Sequence, residues 1–504
     1  MNEKKMQDAP EIGTAPAIKI GTAIPIPDVL KKFGVFFARA GFKAYLVGGA
    51  VRDMLMHKRV NDYDIGTDAL PQDVMRIFRR VIPTGIEHGT VTVLFGAGKN
   101  AEKIEVTTFR SESGYTDGRH PDSVSFCADI TSDLSRRDFT INAIAADLQT
   151  GKIIDPYFGA ADIQKKIVRT VGNPFDRFSE DYLRPIRAIR FSSTLQFAIE
   201  ERTLDAITAL SEKTKNISIE RFRDEFEKML MRSAKPSVAL RLLEECGILK
   251  IFIPELTACR GVMQNDYRNY HKNDDDILEH LFFACDTSCD APPRTPHTPH
   301  TLEIKLAAIL HDVGKPVTRN EQDGKITFFG HEKDSAVLTE RILKRLKFSN
   351  HTVEYVCHLV KNHMFHYERT WSNAAVRRFL VRALSLTQTH PEIPQQHMLR
   401  DLFALHYADS NGRGEKPDPE EADAISEFKM RIQELLESSE KPALSLKDIA
   451  LNGKDLLALG VPAGKRIGEI LQLLHEKVIA EPQWNTKEKL TQLVSENYLP
   501  KQQS

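Results

Sequence analysis

Apolar positions first fall into a helical rhythm after residue 24. Val29, Leu30, Phe33, Phe36 and Phe37 recur at three- and four-residue spacing behind Asp28, which has the chemistry of an N-cap, and Gly41 supplies a stop. The rhythm then shortens. Lys43–Val47 reads as a short buried strand ending in Gly48-Gly49, Thr90–Phe95 alternates polar and apolar, and Lys103–Phe109 is a further strand, with helical patterns between them. From about Asp162 onward the period is almost entirely helical, as in the amphipathic runs Arg221–Met231 and Ser237–Cys246, and Ile449–Leu493 is helical again. Two stretches interrupt the pattern: the Pro/Thr/His-rich Ala291–His300 reads as a surface loop and Gly412–Pro419 as a linker. The chain shows no internal repeat of fixed period.

The pattern predicts an α+β protein: a small mixed-sheet head of five strands, followed by all-helical domains. Composition adds bounds. A chain of 504 residues is too long for one core. With 41 % hydrophobic and 28 % charged residues it is of ordinary globular make-up, and no apolar run approaches the roughly 20 residues that span a bilayer. Residues 1–24 read as a disordered tail without the apolar core of a signal peptide. Six scattered cysteines fit a reducing cytoplasm better than a disulfide framework. At a net charge of −1 the field of the whole molecule will not draw in nucleic acid, so any RNA binding must come from local basic patches and shape.

Asp62-Tyr63-Asp64 places two carboxylates at i and i+2, on one face if the segment is a strand. Converging carboxylates repel, and a divalent cation relieves that repulsion. Nearby, Leu46–Asp53 reads as a strand running through Gly48-Gly49 into a helix, where backbone N–H groups can approach a phosphate and Arg52 offers a fork of donors. A tight strand-to-helix turn is the plain alternative.

These segments form an ordered set. LVGGAVRD (46–53), NDYDIGTDA (61–69), EHGTVTV (87–93), KIEVTTFR (103–110), DLSRRDFTINAIAADL (133–148) and RFSEDYLRPIRAIRF (177–191) together resemble the class II tRNA nucleotidyltransferases and bacterial poly(A) polymerases. The resemblance covers residues 43–230. It implies a nucleotidyltransferase head at 25–160, a helical neck and body at 161–255, an HD domain at 256–415 and a helical tRNA-binding tail at 416–504. It also implies that Gly48, Gly49 and Arg52 bind the nucleoside triphosphate, that Arg137 is a further contact, and that Asp62 and Asp64 hold catalytic Mg²⁺. Such a metal lowers the pKa of an RNA 3′-hydroxyl for attack on the α-phosphorus while pyrophosphate leaves. Glu105, on the next strand, is either a third carboxylate of the site or a surface residue.

In this family an E-D-x-x-R helix reads the base, here Glu180, Asp181 and Arg184, continuing to Arg187 and Arg190. Cytosine and adenine both present an amine donor beside a ring-nitrogen acceptor, which a carboxylate and a guanidinium match. Uracil and guanine set a carbonyl against the carboxylate. Asp181 and Arg184 are helix neighbours at i,i+3. Arg190, about half a turn round from Asp181, should meet phosphate or a neighbouring helix. Pro185 cannot donate to the carbonyl of Asp181, so a helix either begins or kinks there. Ser111–Asp133, with Gly114, Gly118, Arg119, His120 and Pro121, resembles the flexible loop of full CCA-adding enzymes.

His311-Asp312-Val313-Gly314-Lys315 resembles the HD phosphohydrolase signature, and His280, His331, His363 and Asp409 stand in contexts that could complete a second divalent-metal site. Cys285, Cys289, His297 and His300 have irregular spacing, a poor match to zinc. The resemblance therefore implies addition of CCA to tRNA from CTP and ATP. Poly(A) synthesis and A-only addition share the motifs, but the Ile449–Leu457 tail with Gly460, Gly464 and Gly468 resembles that of CCA-adding enzymes. A metal phosphohydrolase acting on RNA ends is the alternative of another class. Oligomeric state is not legible.

Overall fold

The computed structural model describes residues 23–60, 62–96, 101–113, 123–264, 276–288, 301–322, 325–411, 419–438 and 442–499. The N-terminal tail, the centre of the Ser111–Asp133 loop, Cys289, His297, His300 and most of the 412–419 linker lie outside them. The chain divides into two compact units: residues up to Met229 with Arg241–Ile248, and Leu230–Leu240 with Leu249 onward.

The first unit is built on a mixed sheet in the order β3-β4-β5-β2-β1-β8-β9. Its strands are β1 (Ala44–Val47), β2 (Tyr63–Thr67), β3 (Val81–Gly85), β4 (Thr90–Phe95), β5 (Glu102–Thr108), β8 (Ala145–Asp147) and β9 (Ile153–Ile154), with β6 (Arg110–Ser113) and β7 (Ser123–Phe126) forming a separate hairpin. Only β2 and β5 pair parallel within the seven strands. The expectation of five strands is therefore corrected to seven. β8 and β9 are three and two residues long, too short to carry an alternating pattern of their own, and they are strands because β1 offers β8 a partner and β8 in turn pairs with β9.

The first helix, Asp28–Arg39, buries Leu30, Phe33 and Phe37 completely. Phe33 stacks on Phe78 at 4.6 Å and meets Phe95 of β4 edge-on at 5.1 Å, which locks the helix onto the sheet. Its N-cap is Pro27, and Asp28 falls in the first turn instead, where its charge suits the helix dipole. Beyond the sheet the unit is helical, apart from a two-stranded parallel pair, Ile167–Val168 with Ala198–Ile199.

The second unit is almost wholly helical. Helices Ile277–Thr287, Thr301–Leu310, Asn350–Asn362 and Gln395–Asn411 pack together, with His331–Arg345 laid along Asn350–Asn362. Two short antiparallel strands, Asn320–Gln322 and Lys325–Thr327, are the exception. At the C-terminal end, Leu451, Leu456, Leu474, Leu490 and Val494 centre a separate small core. No helix among the described residues is long and apolar enough to cross a membrane.

Candidate active site and candidate metal centre

In the first unit Asp62 directly precedes β2 and Asp64 is its second residue, so strand alternation puts both carboxylates on one face. The parallel register sets Asp64 opposite Glu105 of β5. The three carboxylates feel one another. Burial among the strands and loops raises Asp64 above the usual carboxylate range although solvent reaches it; Arg137 opposes the rise and Asp62 adds to it. Glu105 is raised by burial, then by Asp64 and Asp62. Asp64 and Glu105 thus resist ionising beside Asp62, a repulsion that a divalent cation relieves.

Gly48 joins β1 to helix Gly49–Leu55 with φ +71°, and a Cβ there would stand 2.7 Å from Nη1 of Arg137. Glycine is thus required both by the backbone and by the guanidinium lying over the turn. Arg137 donates to Asp133 at 3.1 Å, while its buried Nε has no partner. Arg52 donates to Asn142 at 2.7 Å and to Asp53 at 2.9 Å.

Of the two alternatives that Pro185 left open, a helix that begins there and one that kinks, the structure shows the first. Helix Pro174–Glu180 ends before Asp181, whose backbone is extended (φ −145°, ψ 109°), and a new helix, Arg184–Leu195, starts with Pro185 in its first turn. Asp181 and Arg184 therefore meet across a turn, with the Arg184 N–H on the Asp181 carbonyl at 3.0 Å. Asp181 accepts from the Leu183 N–H at 3.0 Å and from Arg221 at 2.8 Å. Arg184 donates to Glu180 and to the carbonyls of Arg177 and Arg136. Arg187 forms a paired contact with Asp138 (2.8 and 2.6 Å), and Asp138 is held down to about 2: burial opposes the shift and Arg187 outweighs it. Arg190 donates to Glu225 on helix Ile219–Arg232, the neighbouring-helix contact its position in the helix foretold. Arg221, Asn142 and Asp138 escaped the sequence reading, because nothing in their spacing ties them to Asp181, Arg52 or Arg187.

The second unit gathers all six predicted ligands. His280 lies on helix Ile277–Thr287, His311 and Asp312 follow Thr301–Leu310, His331 opens the next long helix, His363 follows Asn350–Asn362, and Asp409 lies on Gln395–Asn411. They form two sets that share Asp312: His280, His311, Asp312 and Asp409, then Asp312, His331 and His363, each with its donor atoms within 4.8 Å of one another. His280 Nε2 is 3.2 Å from Asp409, and His331 Nε2 is 3.0 Å from Asp312. Backbone carbonyls of Ala308, Phe328 and Val360 lie 2.9, 2.8 and 2.6 Å from Nδ1 of His311, His331 and His363. An Nδ1–H donated there leaves Nε2 facing inward, the second-sphere arrangement of histidine ligands.

Electrostatics agree with that donor set. Burial, then His311, holds His363 down to about 3, so its ring is neutral. Asp312 and Asp409 stay well below the usual carboxylate range against the pull of burial, chiefly through His311 and Lys315 for the first and the hydrogen bonds from His280 and His311 for the second. Their charge in turn lifts His311 to about 10, again against burial. The two carboxylates thus call for positive charge at the centre. Nε2 of His363 is buried without a hydrogen bond, as an atom reserved for a cation would be, while Asp312 meets the Lys315 ammonium at 2.5 Å. Cys285 is fully buried and joins no such group among the described residues.

Comparison with known proteins places both units. The family model described as the poly A polymerase head domain matches residues 44–169, and the probable RNA and SrmB-binding site of polymerase A matches 196–260. An HD domain matches 298–424, and a putative tRNA nucleotidyltransferase domain 2 matches 420–494. The CCA-adding enzyme of Lactobacillus johnsonii is 48 % identical over 225 residues, 45 % of this chain and 52 % of that one; the enzyme of Lactobacillus helveticus is 53 % identical over 190 residues, 38 % and 46 %. The chain thus spans about half the length of the curated relatives it matches. The structure of the Bacillus stearothermophilus CCA-adding enzyme in complex with CTP superposes with a TM-score of 0.62 at 28 % identity, covering 92 % of this chain and 96 % of that one. Fold and carboxylate cluster define a nucleotidyltransferase head of the poly(A) polymerase type. Successive segments of the chain match domains of the CCA-adding enzyme and poly(A) polymerase family, with an HD domain between them. Both domain types generally use divalent metals, and candidate ligand groups are present among the described residues of the second unit.

Proposed function

We propose that this protein adds CCA to the 3′ end of tRNA without a template, from CTP and ATP, releasing pyrophosphate. The observation that carries the reading is the β2–β5 register, which sets Asp64 beside Glu105 and next to Asp62, within the field of Arg137 over the Gly48 turn. In this reading Asp62 and Asp64 hold Mg²⁺, with Glu105 as a supporting carboxylate. The bound cation supplies Lewis-acid stabilisation to the attacking and leaving oxygens. Everything else is positioning. Gly48 and Gly49 let the triphosphate approach the backbone. Arg52 and Arg137 donate to its oxygens, and the unpartnered Nε of Arg137 is free to do so.

Asp181 and Arg184 read the base. The carboxylate of Asp181 retains lone pairs beyond those used by Leu183 and Arg221. Arg184 retains Nε beyond the donors given to Glu180, Arg177 and Arg136. Arg187 and Arg190 support the helix that presents them, and the C-terminal residues hold the tRNA. The cytoplasm is the place of action in this reading, consistent with free thiols at all five described cysteines. The test is incubation with tRNA ending at the discriminator base. CTP alone should add two residues, CTP with ATP three, and ATP alone little. A long homopolymer from ATP alone would make the protein a poly(A) polymerase.

The two ligand sets sharing Asp312 favour a second activity: metal-dependent hydrolysis of phosphoesters, such as a phosphate left at an RNA 3′ end. Release of phosphate from 3′-phosphorylated RNA, dependent on added divalent metal and lost in His311→Ala, is the measurement that decides it.

A further inference from the structure

The ring of Phe191 lies at the meeting point of three guanidinium groups. Cζ of Arg190 is 3.9 Å from its centroid, Cζ of Arg52 5.3 Å and Cζ of Arg187 5.5 Å. The ring is 6 % exposed and is met edge-on by Phe139 at 5.6 Å. Arg187 and Arg190 come from its own helix, whereas Arg52 comes from helix Gly49–Leu55 beside the Gly48 turn. A polar chain runs around the same ring: Arg52 to Asn142 at 2.7 Å, Asn142 to Asp138 at 3.1 Å, and Asp138 to Arg187. Three like charges converge where a ring quadrupole is the neutral surface between them, and each lies within the roughly 6 Å over which that quadrupole attracts a cation.

We propose that Phe191 is a positioning residue for nucleotide binding: its π-face holds Arg52 in the orientation that receives the triphosphate and ties that arginine to the helix that begins at the base-reading Arg184. The inference rests on the proposed nucleotide addition. A leucine would fill similar space and leave Arg52 without its π-face. Arg52 would then be aligned only by Asn142 and by the partly exposed Asp53. Because the phosphates are common to both substrates, CTP and ATP suffer alike.

The experiment measures KM and kcat for CTP and ATP on tRNA lacking its end, in Phe191→Leu, in Arg52→Ala and in the double variant. Phe191→Leu should raise KM for both nucleotides by about 2- to 30-fold, the range of a desolvated cation–π contact, with a smaller change in kcat. In the Arg52→Ala background the same substitution should add nothing. A second series keeps the shape of the ring: phenylalanine at 191 bearing one, two and three fluorines should raise KM stepwise as the π-face is drained, at unchanged Tm. A KM that stays flat across the fluorine series, or a Phe191→Leu effect that persists in full without Arg52, overturns the proposal and leaves the ring as packing. Absence of nucleotide addition by the wild-type protein would instead overturn the function on which it rests.

Discussion

Asp64 and Glu105 bind protons more tightly in the folded head than in an unfolded chain, because burial raises both, Asp62 adds to each, and Asp64 adds to Glu105. The folded state therefore carries more protons than the unfolded one just above the ordinary carboxylate range, and stability falls as pH rises through that window. Two outcomes follow for metal-free protein at neutral pH. Asp64→Asn should melt at a higher temperature than wild type, and Mg²⁺ should raise the Tm of wild type but not of the variant. A lower Tm for Asp64→Asn in chelator would show that the carboxylates are not in repulsion. In activity the same substitution, like Asp62→Ala or Asp64→Ala, should cost about 10³-fold or more in nucleotide addition, the several kcal/mol a bound metal contributes, with tRNA binding nearly intact. Substantial addition with normal metal dependence would remove these aspartates from the chemistry. At this scale the sequence was most informative. D-x-D and the Gly pair are local patterns, and local spacing fixes which face a strand side chain takes. The partnership of Asp64 with Glu105 was half legible, since a parallel register is set by sheet order rather than by anything written near either residue.

Among the elements, the break at Asp181 bears on the base selection proposed for this turn. Spacing alone puts Asp181 and Arg184 on one helix; Pro185 and the extended backbone of Asp181 put them across a turn instead, with Asp181 tied to Arg221. The i,i+3 spacing could not tell a continuous helix from two that abut, whereas Pro185 marked the point where a helix begins. Asp181→Ala should relax discrimination against UTP and GTP by about 10- to 150-fold, the 1.5–3 kcal/mol of a charged hydrogen bond, while Arg184→Ala should weaken CTP and ATP use alike. The readout is the ratio of incorporation efficiencies for the four nucleotides, and unchanged ratios in Asp181→Ala would assign this turn to phosphate or RNA. Strands β8 and β9 teach a similar lesson. Each is too short to alternate, and each is a strand because of a neighbour, β1 for β8 and β8 for β9.

For the whole molecule, each candidate centre draws its ligands from its own unit. His311→Ala or Asp312→Ala should therefore abolish divalent-metal uptake by the second unit, measured by calorimetry on protein whose head carries Asp62→Ala, and leave CCA addition unchanged in an otherwise native chain. Loss of both in a folded variant would mean the two chemistries are coupled. All six ligands of this centre were named from sequence because a histidine beside an acid, or at a helix end, stands out locally. Their division into two sets around Asp312 was not, because sharing is a property of packing.

The sheet order also has a consequence for how the protein is made. β1 is flanked by β2 and β8, with Leu46 paired to Ile65 on one side and to Ala146 on the other. The first of these partners is translated shortly after β1, the second only a hundred residues later. At about 5–20 residues per second, β1 waits some 5–20 seconds with one edge open. An open strand edge invites pairing with another chain, so the nascent head is exposed to misassembly on the ribosome for that interval. Over the same interval the growing polypeptide already contains Asp62 and Asp64 but not Arg137 or Asn142. Translation thus delivers Arg52 and the acidic pair well before Arg137 and Asn142, and a product truncated before Ala145 would lack the strand that covers the open edge of β1.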